Sequence, residues 1–186
     1  ISFYGCISAA RIIGICLVFV MHSADYVIKG LSLSPHPEGG YFRRTFESNH
    51  ATHFSDASRP VGTSIYYLLK KGEVSCLHSL DADETWYFHQ GATLDLHLFE
   101  QDQYQNIKLG RFTPRADCLP QFTIPAGSIF GAIPNEHSKE TYSLVSCSVC
   151  PGFQEEGFFW PDIAELRRKF KAHHELLGKL SKPVEY

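Results

Sequence analysis

The chain has 186 residues, of which 44% are apolar and 20% charged, and carries a formal net charge of −3. This is the size and balance of one globular domain with its own core; it excludes a disordered chain and argues against nucleic acid as a partner. The 13% aromatic content favours strands and an aromatic interior, and the 6 cysteines, without framework spacing, exclude a disulfide scaffold.

In chain order, IIGICLVFVM (12–21) is the longest apolar run. It is too short to span a bilayer, which takes about 20 residues. Arg11 precedes it as in a signal-peptide core, but no small-residue cleavage site follows. Met21, the single methionine, is followed by a helix signal at 23–30, with Ser23 as N-cap and Gly30 as stop. Met21 is therefore expected to be the natural start and residues 1–20 a non-native upstream segment; a genuine extension and a targeting segment are the alternatives. Residues 21–180 are expected to form a single domain and 181–186 a tail.

Pro35, Pro37, Gly39 and Gly40 predict a turn, and YFRRTFE a strand after it. Residues 50–60 are polar and unpatterned and read as a loop. Strands are expected at 61–69, 74–79, 84–89, 93–100, 105–110, 121–125, 128–133 and 141–149, with turns at 70–72, 81–83, 90–91 and 101–102. The period then changes. PDIAELRRKF places Ile163, Leu166 and Phe170 on one helical face, with Pro161 in the first turn, and a second helical piece covers 172–180. The RRKFK run (167–171) is read as a solvated helix face. Short strands about ten residues apart, with helices only at the ends, predict an all-β sandwich or barrel.

The chemistry concentrates in GEVSCLHSLDADETWYFHQG (72–91). His78 and Glu84 are brought near one another by a strand, a turn and a returning strand. Alternation from Glu84 turns Trp86 and Phe88 inward and His89 outward unless a bulge intervenes. The glycine–His–Glu–glycine spacing from Gly72 to Gly91 resembles the first cupin motif, with Leu80 in place of its second histidine. Pro125-Ala-Gly127-Ser-Ile-Phe130 resembles the second motif, with Phe130 in place of its histidine. HPEGGYFRRTFES, TSIYYLL, DETWYFHQGATLDLHL, QFTIPAGSIF and SLVSCSVCPGF, in that order, resemble a small cupin family catalogued as a domain of unknown function (DUF985). The likeness runs over residues 22–178. It implies a double-stranded β-helix, the RmlC-like jelly-roll barrel, with short terminal helices, and a homodimer. The chain departs from the family at Leu77, Thr85 and Tyr87, where tryptophan, isoleucine and histidine are usual.

With two of four usual ligand positions apolar, no cofactor is expected. His78 and Glu84 are read as hydrogen-bonding each other; a divalent metal held by these two with other help is the alternative. HPEGGYFRR adds Glu38, Tyr41 and an arginine, Arg43 or Arg44, that could fork onto a carboxylate or phosphate. On 61–69, either Ser64 and Tyr66 or Thr63, Ile65 and Tyr67 face inward. The candidate site is thus His78 as base oriented by Glu84, Tyr66 or Tyr41 as acid and Arg43 as clamp, with Glu38, Tyr41, Ser64, Trp86, Phe88 and Phe130 lining a pocket for a small polar ligand. The expected activity is that of a metal-independent epimerase or isomerase on a sugar or sugar-nucleotide. A non-catalytic binding module and a metal-dependent cupin enzyme are the alternatives. Cys147-Ser-Val-Cys150, without a following helix, reads as ordinary thiols. The protein is expected to be cytoplasmic, without a membrane or nucleic-acid partner.

Overall fold

The computed structural model describes residues 23–54, 57–113 and 117–182. The expectation about residues 1–20, and the end of the 181–186 tail, lie outside the described residues. Helix α1 is Ala24–Gly30. The strands are β1 (Ser34–Pro35), β2 (Tyr41–Glu47), β3 (Ala51–Phe54), β4 (Ala57–Pro60), β5 (Thr63–Lys70), β6 (Ser75–Leu80), β7 (Asp83–Gly91), β8 (Leu94–Glu100), β9 (Gln103–Leu109), β10 (Gln121–Ile124), β11 (Ile129–Pro134), β12 (Tyr142–Cys150) and β13 (Phe158–Phe159). Helices α2 (Ile163–Lys169) and α3 (His174–Lys179) follow.

A six-stranded sheet in the order β1-β2-β5-β12-β7-β10 faces a five-stranded sheet in the order β13-β6-β11-β8-β9. This is the double-stranded β-helix the resemblance implied. Between the sheets lie Tyr67, Leu69, Trp86, Leu94, Leu96, Leu98, Phe130, Val145 and Cys147, spaced by two along their strands because only alternate side chains face the partner sheet. Part of each outer face is covered by a helix. Helix α1 covers Leu68, Tyr142 and Leu144 through Ala24 and Val27. The C-terminal helices cover Leu77, Phe99 and Ile133 through Leu166, Phe170, Leu177 and Leu180.

Two expectations are corrected. The segment read as a loop at 50–60 contains a hairpin, β3 paired with β4. It lacks an apolar period because polar contacts hold it: buried Arg59 pairs with Asp81 at 3.0 Å and lies 5.1 Å over the ring of Phe54. Pro161 lies outside α2. Asp162 is the N-cap, its carboxylate accepting from the backbone N–H of Ala164 at 2.8 Å and of Glu165 at 3.1 Å. At the other end of the chain Ser23 caps α1 as expected, accepting from the Tyr26 N–H at 3.2 Å.

Candidate functional site

The turn between β1 and β2 carries the first part of the site. Gly39 (φ 106°) and Gly40 (φ 70°) hold it in the left-handed region; a Cβ would come within 2.2 Å of the Val74 carbonyl oxygen at Gly39 and 2.5 Å of the Leu68 carbonyl oxygen at Gly40. Only glycine tolerates both the conformation and the approach. The Tyr67 hydroxyl donates to the Gly39 carbonyl at 2.8 Å, and the Glu38 carbonyl accepts from the Cys76 N–H at 2.8 Å. These contacts turn the Glu38 side chain into the barrel, 9% exposed, toward β6 of the other sheet.

His78 is 2% exposed. Its Nδ1 lies 2.7 Å from the Cys76 carbonyl oxygen. A carbonyl only accepts, so Nδ1 bears the proton and Nε2 of the neutral ring carries the lone pair. Nε2 faces Glu38 Oε2 at 3.4 Å. The ring is packed between Phe130 (centroids 4.1 Å) and Phe158 (5.4 Å, 16° between planes). Burial pulls the His78 pKa down, against the opposing pull of Glu84 and the Cys76 carbonyl. Burial raises Glu38 to about 8, with the Ser75 hydroxyl opposing, and raises Glu84 to about 7, with His78 opposing. Glu38 is therefore predominantly a carboxylic acid at neutral pH and can donate to His78 Nε2. His36, whose Nδ1 accepts from the Glu38 N–H at 3.2 Å, is lowered to about 4 by burial and then by His78.

Glu84 pairs in register with Val149 on β12 and Ile124 on β10. Its Oε2 is buried without a hydrogen-bond partner among the described residues, and so is Nε1 of Trp86, two positions along the same inward face. The hydrogen bond expected between His78 and Glu84 is not formed; the carboxyl that faces His78 Nε2 is that of Glu38, at 3.4 Å, while Glu84 acts on the imidazole through its charge. Glu38, His78, Glu84, Trp86, Tyr67, Cys147 and Arg44 line one cavity of about 70 Å³.

The other expected site residues divide between the cavity and its surroundings. Ser64 lines the cavity, its hydroxyl donating to the Cys147 carbonyl at 3.0 Å. Phe88 belongs to the core beyond it, and Phe130 backs the His78 ring. Tyr66 and Tyr41 are on the outer face, packed with the α1 cluster, and exposed Arg43 lies 5.7 Å over the Tyr66 ring. In β5 it is therefore Thr63, Ile65 and Tyr67 that face inward, and in β2 it is Phe42 and Arg44. His89 is exposed, as alternation predicted, 2.7 Å from Ser146 Oγ. Cys147 is buried, Cys150 exposed, and both are free.

The cupin fold implies a divalent metal, and the residues here do not fit one. Leu80 lines the cavity and Phe130 stands cross-strand from His78, so neither position supplies a donor atom. The one His78 nitrogen with a lone pair faces a largely protonated carboxyl. Among the described residues no group of three or more His, Cys, Asp or Glu side chains could hold an ion. A wider groove of about 660 Å³ lies between α2 and the turn at 125–128; of its acids, Asp162 caps α2 and Glu100 accepts from Ser128 Oγ.

A family model described as cupin superfamily, DUF985, matches residues 25–160. Among solved structures, the chain is similar to a protein from Shewanella oneidensis, at 38% identity and TM-score 0.78 over 88% of this chain and 100% of that one. A hypothetical protein from Leishmania major matches at 33% identity and TM-score 0.80, over 87% of this chain and 100% of the other. Oxalate decarboxylase from Bacillus subtilis matches at 15% identity and TM-score 0.50, over 82% of this chain and 37% of that one, a likeness of fold alone. No curated protein is significantly similar to the chain. Among the described residues no helix is long and apolar enough to cross a membrane.

Proposed function

The chain belongs to the DUF985 family of the cupin superfamily, and we propose that its barrel binds a small polar metabolite and moves a proton on it without a metal, as an epimerase or isomerase of a sugar or sugar-nucleotide does. One observation carries this reading. A carboxylic acid held against an imidazole lone pair (Glu38 and His78) and a carboxyl with an unpaired oxygen (Glu84) open into the same cavity. Carboxyl groups raised to about 8 and about 7 sit where one can be acid and the other base at neutral pH.

His78 Nδ1 is tied to the Cys76 carbonyl and Nε2 faces Glu38, so in this reading the histidine positions Glu38, whose proton stays free to turn to the ligand, and Glu84 is the base. Glu84 takes the proton from a carbon next to a carbonyl; the electron pair moves to the carbonyl oxygen, which takes the proton of Glu38. Glu84 then returns its proton to the former carbonyl carbon while the hydroxyl on the carbon first deprotonated gives its proton to Glu38, which isomerises the sugar and restores both groups. The Tyr67 hydroxyl fixes the turn that carries Glu38. A cavity of about 70 Å³ has room for roughly five water-sized groups, so one edge of a sugar enters rather than the whole of a nucleotide.

The test is deuterium uptake from D2O into a panel of aldoses, ketoses and sugar-nucleotides, followed by proton NMR in the presence of a chelator. The expected result is loss of one resonance next to a carbonyl, abolished in Glu84→Gln. Binding without exchange would replace this reading with that of a non-catalytic binding module; exchange lost to the chelator would replace it with metal chemistry. The free thiols Cys76, Cys118, Cys147 and Cys150 favour a reducing compartment such as the cytoplasm, testable by fractionation. A homodimer through the outer face of the six-stranded sheet, where Tyr87 is 37% exposed, predicts a sedimentation coefficient above that of a monomer.

A further inference from the structure

We propose that the ligand is an anion: a carboxylate or phosphate group sits at the cavity mouth on Arg44, while the hydroxyl-bearing end reaches Glu84. This rests on reading the cavity as the ligand site, and it adds the substrate class, sugar acids or sugar phosphates. The cavity wall is otherwise acidic, neutral or aromatic, and Arg44 is the one lysine or arginine among its described lining residues.

Arg44 is well placed for the task. It stands on the inward face of β2, at the register shift that separates Arg44 from Phe46 in the pairing with β5. Its guanidinium lies 5.9 Å over the Phe153 ring, which lines the same cavity, so the ring fixes the planar fork at the mouth. Its ion-pair partner is Glu47, three residues along the same strand, and both side chains are about half exposed (41% and 52%). Such a pair is held weakly and can be exchanged for a ligand carboxylate or phosphate that offers two oxygens to the fork. Deeper in, Glu84 Oε2 and Trp86 Nε1 make no hydrogen bond of normal geometry among the described residues, although the indole and the Cys147 thiol lie close enough to the Glu84 carboxyl to lower its pKa. A hydroxyl can satisfy an acceptor and a donor at once, and the terminal torsion of a glutamate is soft enough to turn an oxygen toward it. Neighbouring Arg43 carries the same charge but lies on the outer face over Tyr66.

The chain has 2 tryptophans, so its indole N–H signals in a nitrogen-15 NMR spectrum are two, and Trp160→Phe identifies the one from Trp86. The probes are D-glycerate, glycerol 3-phosphate and glycerol, titrated while that signal is followed. The anions are expected to shift it saturably and to bind about tenfold or more tighter than glycerol; whichever anion binds tighter names the group. Arg44→Gln removes the advantage, Arg43→Gln, with the same change in net charge, keeps it, and Glu47→Gln increases it by freeing the guanidinium. Equal affinity for glycerol and the anions, equal losses in the two arginine variants, or no saturable shift with any probe would overturn the proposal. Anion binding through Arg44 without deuterium exchange leaves this inference standing and sinks the enzymatic reading; exchange on neutral sugars that survives Arg44→Gln does the reverse.

Discussion

Replacing Glu84 by glutamine should stabilise the protein relative to the native one, by an amount that grows as the pH rises. In the fold the carboxyl, 7% exposed, keeps its proton to about pH 7; in the unfolded chain it gives it up near its ordinary value of 4.5. Between these values the folded state holds a proton that the unfolded state has released, so stability falls as pH rises through the window and stays lower above it. The displacement corresponds to about 3 kcal/mol at neutral pH and beyond. A glutamine has no proton to lose. The variant and the native protein should therefore differ little near pH 4.5 and diverge by about 3 kcal/mol by pH 7, or roughly 10 °C in Tm for a domain of this size. Histidines lowered by burial, such as His36 and His97 at about 4, act with the opposite sign below pH 6.5. They are common to both proteins and cancel in the difference, apart from His78, whose pKa responds to the Glu84 charge. Thermal unfolding of the two proteins across pH 4.5 to 8.5, with urea unfolding at the extremes, measures it. Curves that run parallel would mean that Glu84 is ionised in the fold throughout, and the argument for a neutral buried carboxyl would fail.

Deuterium exchange should follow a narrow bell against pH, rising as Glu84 ionises near 7 and falling as Glu38 ionises near 8. Glu38→Gln should lower the rate and remove the alkaline fall; an alkaline limb that survives would take the acid's role from Glu38. Gly39→Ala places a Cβ 2.2 Å from the Val74 carbonyl oxygen at a φ of 106°, and should cost more than about 2 kcal/mol in denaturant unfolding; a neutral effect would mean the turn relaxes freely. Protein purified without chelator or nickel resin should carry no stoichiometric divalent metal in elemental analysis, whereas Leu80→His with Phe130→His should acquire one; a full complement in the native protein would sink the metal-free mechanism.

Alternation found what it could reach. From Glu84 it placed Trp86 and Phe88 inward and His89 outward on β7, because that strand presents one face to the core and the other to water. It could not decide β5 or β2. On β5, Leu68 and Tyr66 are covered by α1 while Tyr67 and Leu69 fill the barrel, so both faces are apolar and the period carries no sign. The same ambiguity made Tyr66 and Tyr41 as plausible as Tyr67, and Arg43 as plausible as Arg44. The hairpin at β3 and β4 gave no signal because an ion pair, Arg59 with Asp81, replaces an apolar face.

The pairing at the centre of the site was hidden for a different reason. Glu38 stood out in its glycine turn and His78 in its strand, but they lie on opposite sheets, joined only when the barrel closes, and no local spacing encodes that approach. Glu84, a carboxyl on the strand after that of His78, is the partner that local spacing suggests. Closure hands His78 to Glu38 and leaves Glu84 with a free oxygen. The exchange of partners reverses the chemistry: an imidazole base steered by a carboxylate becomes a carboxyl base working beside a carboxylic acid that the imidazole holds. The apolar residues at Leu80 and Phe130 contribute to the same outcome. The positions that could have bound an ion instead dry the site, and it is burial that raises both carboxyl groups into the range where they can trade protons at neutral pH.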